Sequence, residues 1–224
     1  MSLLDILGLL RQQHSTPLRN SRFGWWPARS AFDLMVGAVL TQNTAWVNVE
    51  KSIARLREAG CLDAKAILAL SPEQLAELIR SSGYYNVKQK RLRALCRWYW
   101  EKGPLHRLKR RETEELRAEL LSVHGVGPET ADDILLYALG RPVFVVDAYT
   151  RRVFSRMGLV SSRVGYEELR QLFERELPRD AKLYNEYHAR IVLHGKRVCL
   201  AREPRCGECR LRSRCVYGQA AESS

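Results

Sequence analysis

The chain has 224 residues, enough for one large domain or two small interleaved lobes around a real core. Apolar residues make up 46% and charged residues 28%, which excludes an intrinsically disordered chain, and 37 Lys and Arg against 25 Asp and Glu leave a net charge of +12. That surplus predicts a polyanionic partner, and no apolar run reaches the roughly 18 residues a spanning helix needs.

The N-terminus, MSLLDILGLLRQQ, lacks the positive leader and small-residue cleavage site of a secretory signal, so a cytoplasmic location is expected. Ser30 precedes the apolar stretch AFDLMVGAVL, and Ser71-Pro72-Glu73-Gln74 forms a capping box with proline at the first helical position. Residues 80–111 carry eleven Lys or Arg against the single Glu101. Leu92, Leu95, Trp98 and Tyr99 interleave this charge in a pattern that suits core packing better than a membrane surface. Thr113 is placed to cap EELRAELL, and Pro128 opens ETADDILLYAL. Val143–Val146 is the one strand-like run, too short to build a sheet. Helical patterns follow at Ala148–Met157, Tyr166–Leu177 and Ala181–His194, and the tail Gln219–Ser224 is expected to fray. The pattern predicts an all-α protein of about ten helices with no internal repeat.

Six cysteines are present; Cys61 and Cys96 fall in helix-like patterns and read as small buried hydrophobes. Cys199, Cys206, Cys209 and Cys215 follow the spacing C-x6-C-x2-C-x5-C. Four converging thiolates need a metal centre to offset their charge, and the spacing alone leaves Zn²⁺ and an iron–sulfur cluster open. A second basic stretch, residues 196–215, surrounds them with seven Lys or Arg against Glu203 and Glu208.

Gly125 and Gly127 flank Val126 between two helical patterns, as in a tight hairpin needing positive φ, and the free N–H groups behind Pro128 could hold a phosphate. Asp147 follows the buried-type run VFVV and precedes a helix, so it suits either a helix cap or a carboxylate held beside developing positive charge.

The segment from His194 to Cys215 closely resembles the C-terminal 4Fe–4S loop of endonuclease III-like DNA glycosylases. Leu121–Ala131 resembles the helix-hairpin-helix of that superfamily, and Val145-Val146-Asp147 its apolar run ending in a catalytic aspartate. The resemblance spans roughly Ala31 to Cys215 and implies a two-lobed fold. One lobe would be 30–140, ending in the hairpin (about 113–139); the other, 1–29 plus 141–224, would carry the cluster loop 199–215. It further implies a monomer acting on double-stranded DNA with a damaged base. Asp147 would be catalytic, the four cysteines would ligate the cluster, and Arg202, Arg205, Arg210 and Arg212 would meet the DNA backbone. Gln42 matches a residue that fills the vacated base stack, and Tyr84 the wedge on the opposite strand. Lys88, Lys90 and Arg91 would hold flanking phosphates, together with the hairpin glycines Gly125 and Gly127.

One departure sets the expected reaction. Bifunctional members carry a lysine where this chain has Glu129, and glutamate forms no Schiff base; no lysine lies between Lys109 and Lys182. The pairing of Glu129 with Phe23-Gly24-Trp25-Trp26-Pro27 and Met35–Lys51 is similar to the 3-methyladenine glycosylase subgroup. A monofunctional glycosylase for alkylated purines is therefore expected, with Trp25, Trp26 and Trp46 as pocket walls. An oxidised-pyrimidine or mismatch glycosylase is the alternative in the same fold, and a non-catalytic DNA-binding protein the alternative outside it.

Overall fold

A computed structural model describes residues 2–15 and 25–220. Its α-helices are α1 (Leu3–Gln13), α2 (Ala31–Leu40), α3 (Trp46–Glu58), α4 (Ala64–Ala69), α5 (Pro72–Leu78), α6 (Tyr85–Lys102), α7 (Leu105–Leu108), α8 (Thr113–Ser122), α9 (Pro128–Asp133), α10 (Ala148–Arg156), α11 (Tyr166–Glu176), α12 (Ala181–Arg197) and α13 (Val216–Ala220). A π-helical turn, Ile134–Ala138, continues α9. No strand forms among the described residues, and none of their helices is long and apolar enough to cross a membrane. The fold of the described residues is all-helical.

Two compact units divide the chain: Ser21–Arg141, and Met1–Asn20 with Pro142–Ser224. In the first unit α2 is buried almost throughout, and Ser30 caps it by accepting a hydrogen bond from the Asp33 N–H at 3.0 Å. The Ser71 capping box forms with Gln74 as expected. Thr113, by contrast, is the first residue of α8 and is buried; Glu112 precedes it as a cap position without a side-chain bond. A buried ion pair, Arg117 to Asp132 at 2.7 and 3.1 Å, ties α8 to α9 on the inner side of the hairpin. Residues 25–29 and Arg141 group with this unit and not with 142–224; Trp26 is 6% exposed and packs on Trp46 and Tyr137.

The second unit is built on an aromatic core. Phe144 stacks on Phe173 with centroids 3.9 Å apart, and Phe154, Tyr184 and Tyr187 close around them. Residues 143–146 are extended and buried, yet they pair with no strand. Side chains satisfy the backbone instead: Phe144 N–H donates to Glu174 at 2.9 Å and Val146 N–H to the Tyr166 hydroxyl at 3.4 Å. The extended run ends at Asp147, which this anchoring places at the start of α10.

Cys96 is fully buried, and its burial pushes the thiol up to about 12. Cys61 lies just beyond α3 in the loop that follows Gly60, half-buried, so the helical position expected for it is corrected.

Candidate active site and nucleic-acid interface

In the first unit three turns carry the residues singled out in the sequence. Gly125 has φ +83, and a Cβ there would lie 2.1 Å from Arg91 Cγ, so both the backbone and the Arg91 stem demand glycine. Gly127 has φ −92, and a Cβ there would meet open space, so positive φ is required at one hairpin glycine and not at both. Glu129 is exposed in the first turn of α9, whose N-terminal end favours its charge.

Gln42 is fully engaged within its unit. Its Nε2 donates to Gly125 O at 3.0 Å and to Thr130 Oγ1 at 2.9 Å, while its Oε1 accepts from Arg91 at 2.6 Å. Tyr84 is 66% exposed and adopts φ +47, unusual for a bulky residue, at the tip of the turn before α6. Lys90 is exposed and Arg91 half-buried.

Lys88 overturns its expected role. It is 1% exposed, and its Nζ donates to Leu40 O at 2.8 Å, Thr44 Oγ1 at 2.6 Å and Ser82 O at 2.7 Å. With every donor committed inside the fold, it has none to offer a phosphate. Burial, and then the Arg91 charge, push this ammonium down to about 8.

Trp26 is also corrected. Gly37 lets the rings of Trp26 and Trp46 approach α2, where an added Cβ would lie 3.2 and 3.3 Å from them. Trp26 is therefore a packing residue of the core and not a pocket wall. Trp25 and Trp46 are half-buried, and Trp25 Nε1 donates to the Tyr137 hydroxyl at 3.2 Å. Phe23 and Gly24 lie outside the described residues, as do residues 221–224 of the tail.

In the second unit Asp147 caps α10. Its Oδ1 accepts from Thr150 N at 2.7 Å and Thr150 Oγ1 at 2.9 Å, leaving Oδ2 toward His188 Nε2 at 3.5 Å. Burial opposes ionisation most, but the His188 interaction and the Thr150 donors outweigh it and hold the carboxyl below the usual carboxylate range. The side chain keeps 12% of its surface exposed. His188 was not singled out in the sequence; its signal is that it shares the buried face of α12 with Tyr184, Ile191 and Val192, an unusual place for a titratable group.

Cys199, Cys206, Cys209 and Cys215 line one pocket, partly open to solvent, with Val153, Met157, Val198 and Leu211 as apolar wall. Burial, and then the neighbouring thiols, push Cys209 and Cys215 up, so four thiolates can share this space only with a cation among them. Among the described residues no three His, Cys, Asp or Glu side chains are arranged to hold a single ion. Arg152 and Arg156 staple the loop to α10, donating to Gly195, Cys199, Leu200 and Ala201 carbonyls at 2.6–3.0 Å. Arg202, Arg205 and Arg210 are exposed, and Arg212 is half-buried.

Comparison with known proteins gives the class and the family of this helical chain. The family model for HhH-GPD superfamily base excision DNA repair proteins matches residues 36–179. A protein of Methanocaldococcus jannaschii named as a DNA repair glycosylase is 46% identical over 195 residues, 86% of this chain and 88% of its own length. Escherichia coli endonuclease III is 30% identical over 98% of this chain and 97% of its own length. Among solved structures, Helicobacter pylori 3-methyladenine DNA glycosylase bound to 1,N6-ethenoadenine superposes with TM-score 0.77, 32% identity, and coverage of 88% of this chain and 98% of that one. An endonuclease III–DNA complex matches in fold, with TM-score 0.83 and 24% identity over 99% of this chain and 97% of that one. The chain belongs to the HhH-GPD superfamily and is a base excision repair DNA glycosylase.

Proposed function

We propose that this enzyme removes alkylated purines such as 3-methyladenine from duplex DNA by hydrolysis, leaving the strand uncut. Glu129 carries the second half of the reading: the position that resembles the lyase lysine holds an exposed carboxylate with no amine to capture the sugar. Lys88 has the depressed basicity a Schiff-base lysine needs, but it is sealed inside its unit. The substrate class draws support from the 32% identity to a glycosylase seen with an ethenoadenine.

An N-alkylated purine is cationic, so the C1′–N bond can break with its electron pair leaving on the base, without a general acid. The sugar is left as an oxocarbenium ion. Asp147, held ionised by His188 and Thr150, stabilises that cation and orients a water. The water oxygen bonds to C1′, and its proton passes by way of the carboxylate to solvent. Trp25 and Trp46 supply half-buried aromatic surface on which a cationic base can stack. Gln42 fills the emptied stack and Tyr84 wedges the opposite strand, while Lys90 and the arginines of the cysteine loop hold phosphates. We assign the four cysteines to a 4Fe–4S cluster, because thiols spread around a cavity suit a polynuclear centre. When bound, such a cluster neutralises the thiolates and pins the basic loop.

A release assay over duplexes with methylated, oxidised and deaminated bases tests the substrate. Methylated purine is expected to leave fastest, and release confined to oxidised pyrimidine favours the endonuclease III-type reading. Borohydride is expected to trap little covalent adduct. Asp147→Asn should keep DNA binding and lose base release; if both wild type and variant bind but release nothing, the enzyme reading fails.

A further inference from the structure

Lys88 is the strongest unexplained feature. A buried ammonium is an expensive choice for a core: burial holds its basicity down, and a lysine surrounded by acceptors replaces what an apolar side chain could fill. Its three acceptors are informative. Leu40 ends α2, Thr44 closes the turn that carries Gln42, and Ser82 opens the turn that carries Tyr84. The Thr44 hydroxyl also donates to Ser82 O, completing a triangle between the two turns. Each turn holds a non-glycine residue in the left-handed region, Asn43 at φ 51 and Tyr84 at φ 47, beside Gly83 at φ 67. Such conformations persist only where the surroundings over-determine them.

We propose that Lys88 is a positioning residue: one buried ammonium ties the turn bearing Gln42 to the turn bearing Tyr84 and sets the spacing at which plug and wedge enter DNA together. The inference rests on the plug-and-wedge reading of those two residues. Lys88 itself touches no DNA. It acts through the Leu40 and Ser82 carbonyls and the Thr44 hydroxyl, with its charge turned inward from the basic helix that carries it.

The test compares the wild type with Lys88→Met, Thr44→Val, Gln42→Ala and Tyr84→Ala. Binding is measured to a duplex holding a tetrahydrofuran abasic-site analogue and to the same single strand, alongside melting temperature and amide hydrogen exchange. Lys88→Met is expected to keep most of its melting temperature and to lose about tenfold or more in duplex affinity relative to single strand. The Thr44 and Gly83 amides, bonded to Thr41 O and Arg80 O, should exchange faster together. Thr44→Val, which removes two sides of the triangle without a size change, should move in the same direction, and it carries the test if Lys88→Met does not fold. Wild-type duplex preference in both Lys88→Met and Thr44→Val, with Gln42→Ala and Tyr84→Ala impaired, overturns the brace. Wild-type duplex preference in Gln42→Ala and Tyr84→Ala overturns the plug-and-wedge reading beneath it.

Discussion

Gly125→Ala isolates what the hairpin needs. An alanine at φ +83 costs about 1–2 kcal/mol for the left-handed backbone alone. Its Cβ would also lie 2.1, 2.5 and 2.9 Å from Arg91 Cγ, Cδ and Cβ. Rotating the Arg91 side chain relieves the first two contacts, but Cβ moves only with α6. That rotation also withdraws the guanidinium from Gln42 Oε1, a charge-assisted bond of 2.6 Å worth about 1.5–3 kcal/mol. The total is about 2.5–5 kcal/mol, or roughly a 10 °C fall in melting temperature at this chain length. Gly127→Ala is the matched control, because its φ of −92 and open surroundings admit a methyl group. It should melt like wild type and lose affinity for duplex DNA, where the methyl group stands in the way of a phosphate at the helix start. Differential scanning calorimetry on both variants decides. A Gly125→Ala protein melting within about 2 °C of wild type, or a Gly127→Ala protein falling as far, would refute the reasoning.

The tryptophans should separate in the same way. Trp26→Ala removes a core ring and is expected to cost about 3–5 kcal/mol in thermal unfolding. Trp25→Ala should lower release of a methylated purine far more than it lowers stability, and equal losses would return Trp25 to the core. Acid stability should report Glu119, whose carboxyl is held at about 2 by hydrogen bonds from Arg111, with Lys102 assisting. Because its folded value lies below its ordinary 4.5, its stabilisation is present above pH 4.5 and disappears as pH falls toward 2. Glu119→Gln is expected to lower stability at neutral pH and to flatten that acid limb in a denaturation series.

Features with a local cause were legible in the sequence. Ser30 and Ser71 cap helices because a hydroxyl three residues from an N–H needs no distant partner. The four cysteines share a cavity because their spacing closes short loops onto α10 and α12. Asp147 reads as the end of a buried run and is one. What failed depended on long-range packing. Nothing near Trp26 says that Gly37 will open a seat for its ring. Lys88 is the more instructive miss, since it lies at helical spacing with the buried Leu92 and Leu95 and so belongs to the inner face by period. Its charge argued for solvent, and the three acceptors that satisfy it come from segments up to 48 residues away.

The same comparison changes how the net charge should be read. The basic stretch 80–111 looks from its composition like one continuous phosphate-binding surface. Much of that charge is spent within the protein. Arg80 pairs with Glu77, Arg93 donates to Leu70 O, Lys102 and Arg111 hold Glu119, Arg91 holds Gln42, and Lys88 is buried. Lys90, Arg97, Arg107, Lys109 and Arg110 remain exposed. Each phosphate neutralised contributes about 0.9 to the slope of log affinity against log salt, so these five exposed residues can supply less than half of what eleven could. Long-range attraction to DNA follows the net charge of the whole chain, but the grip at close range is set by which guanidinium and ammonium groups still have a donor to give.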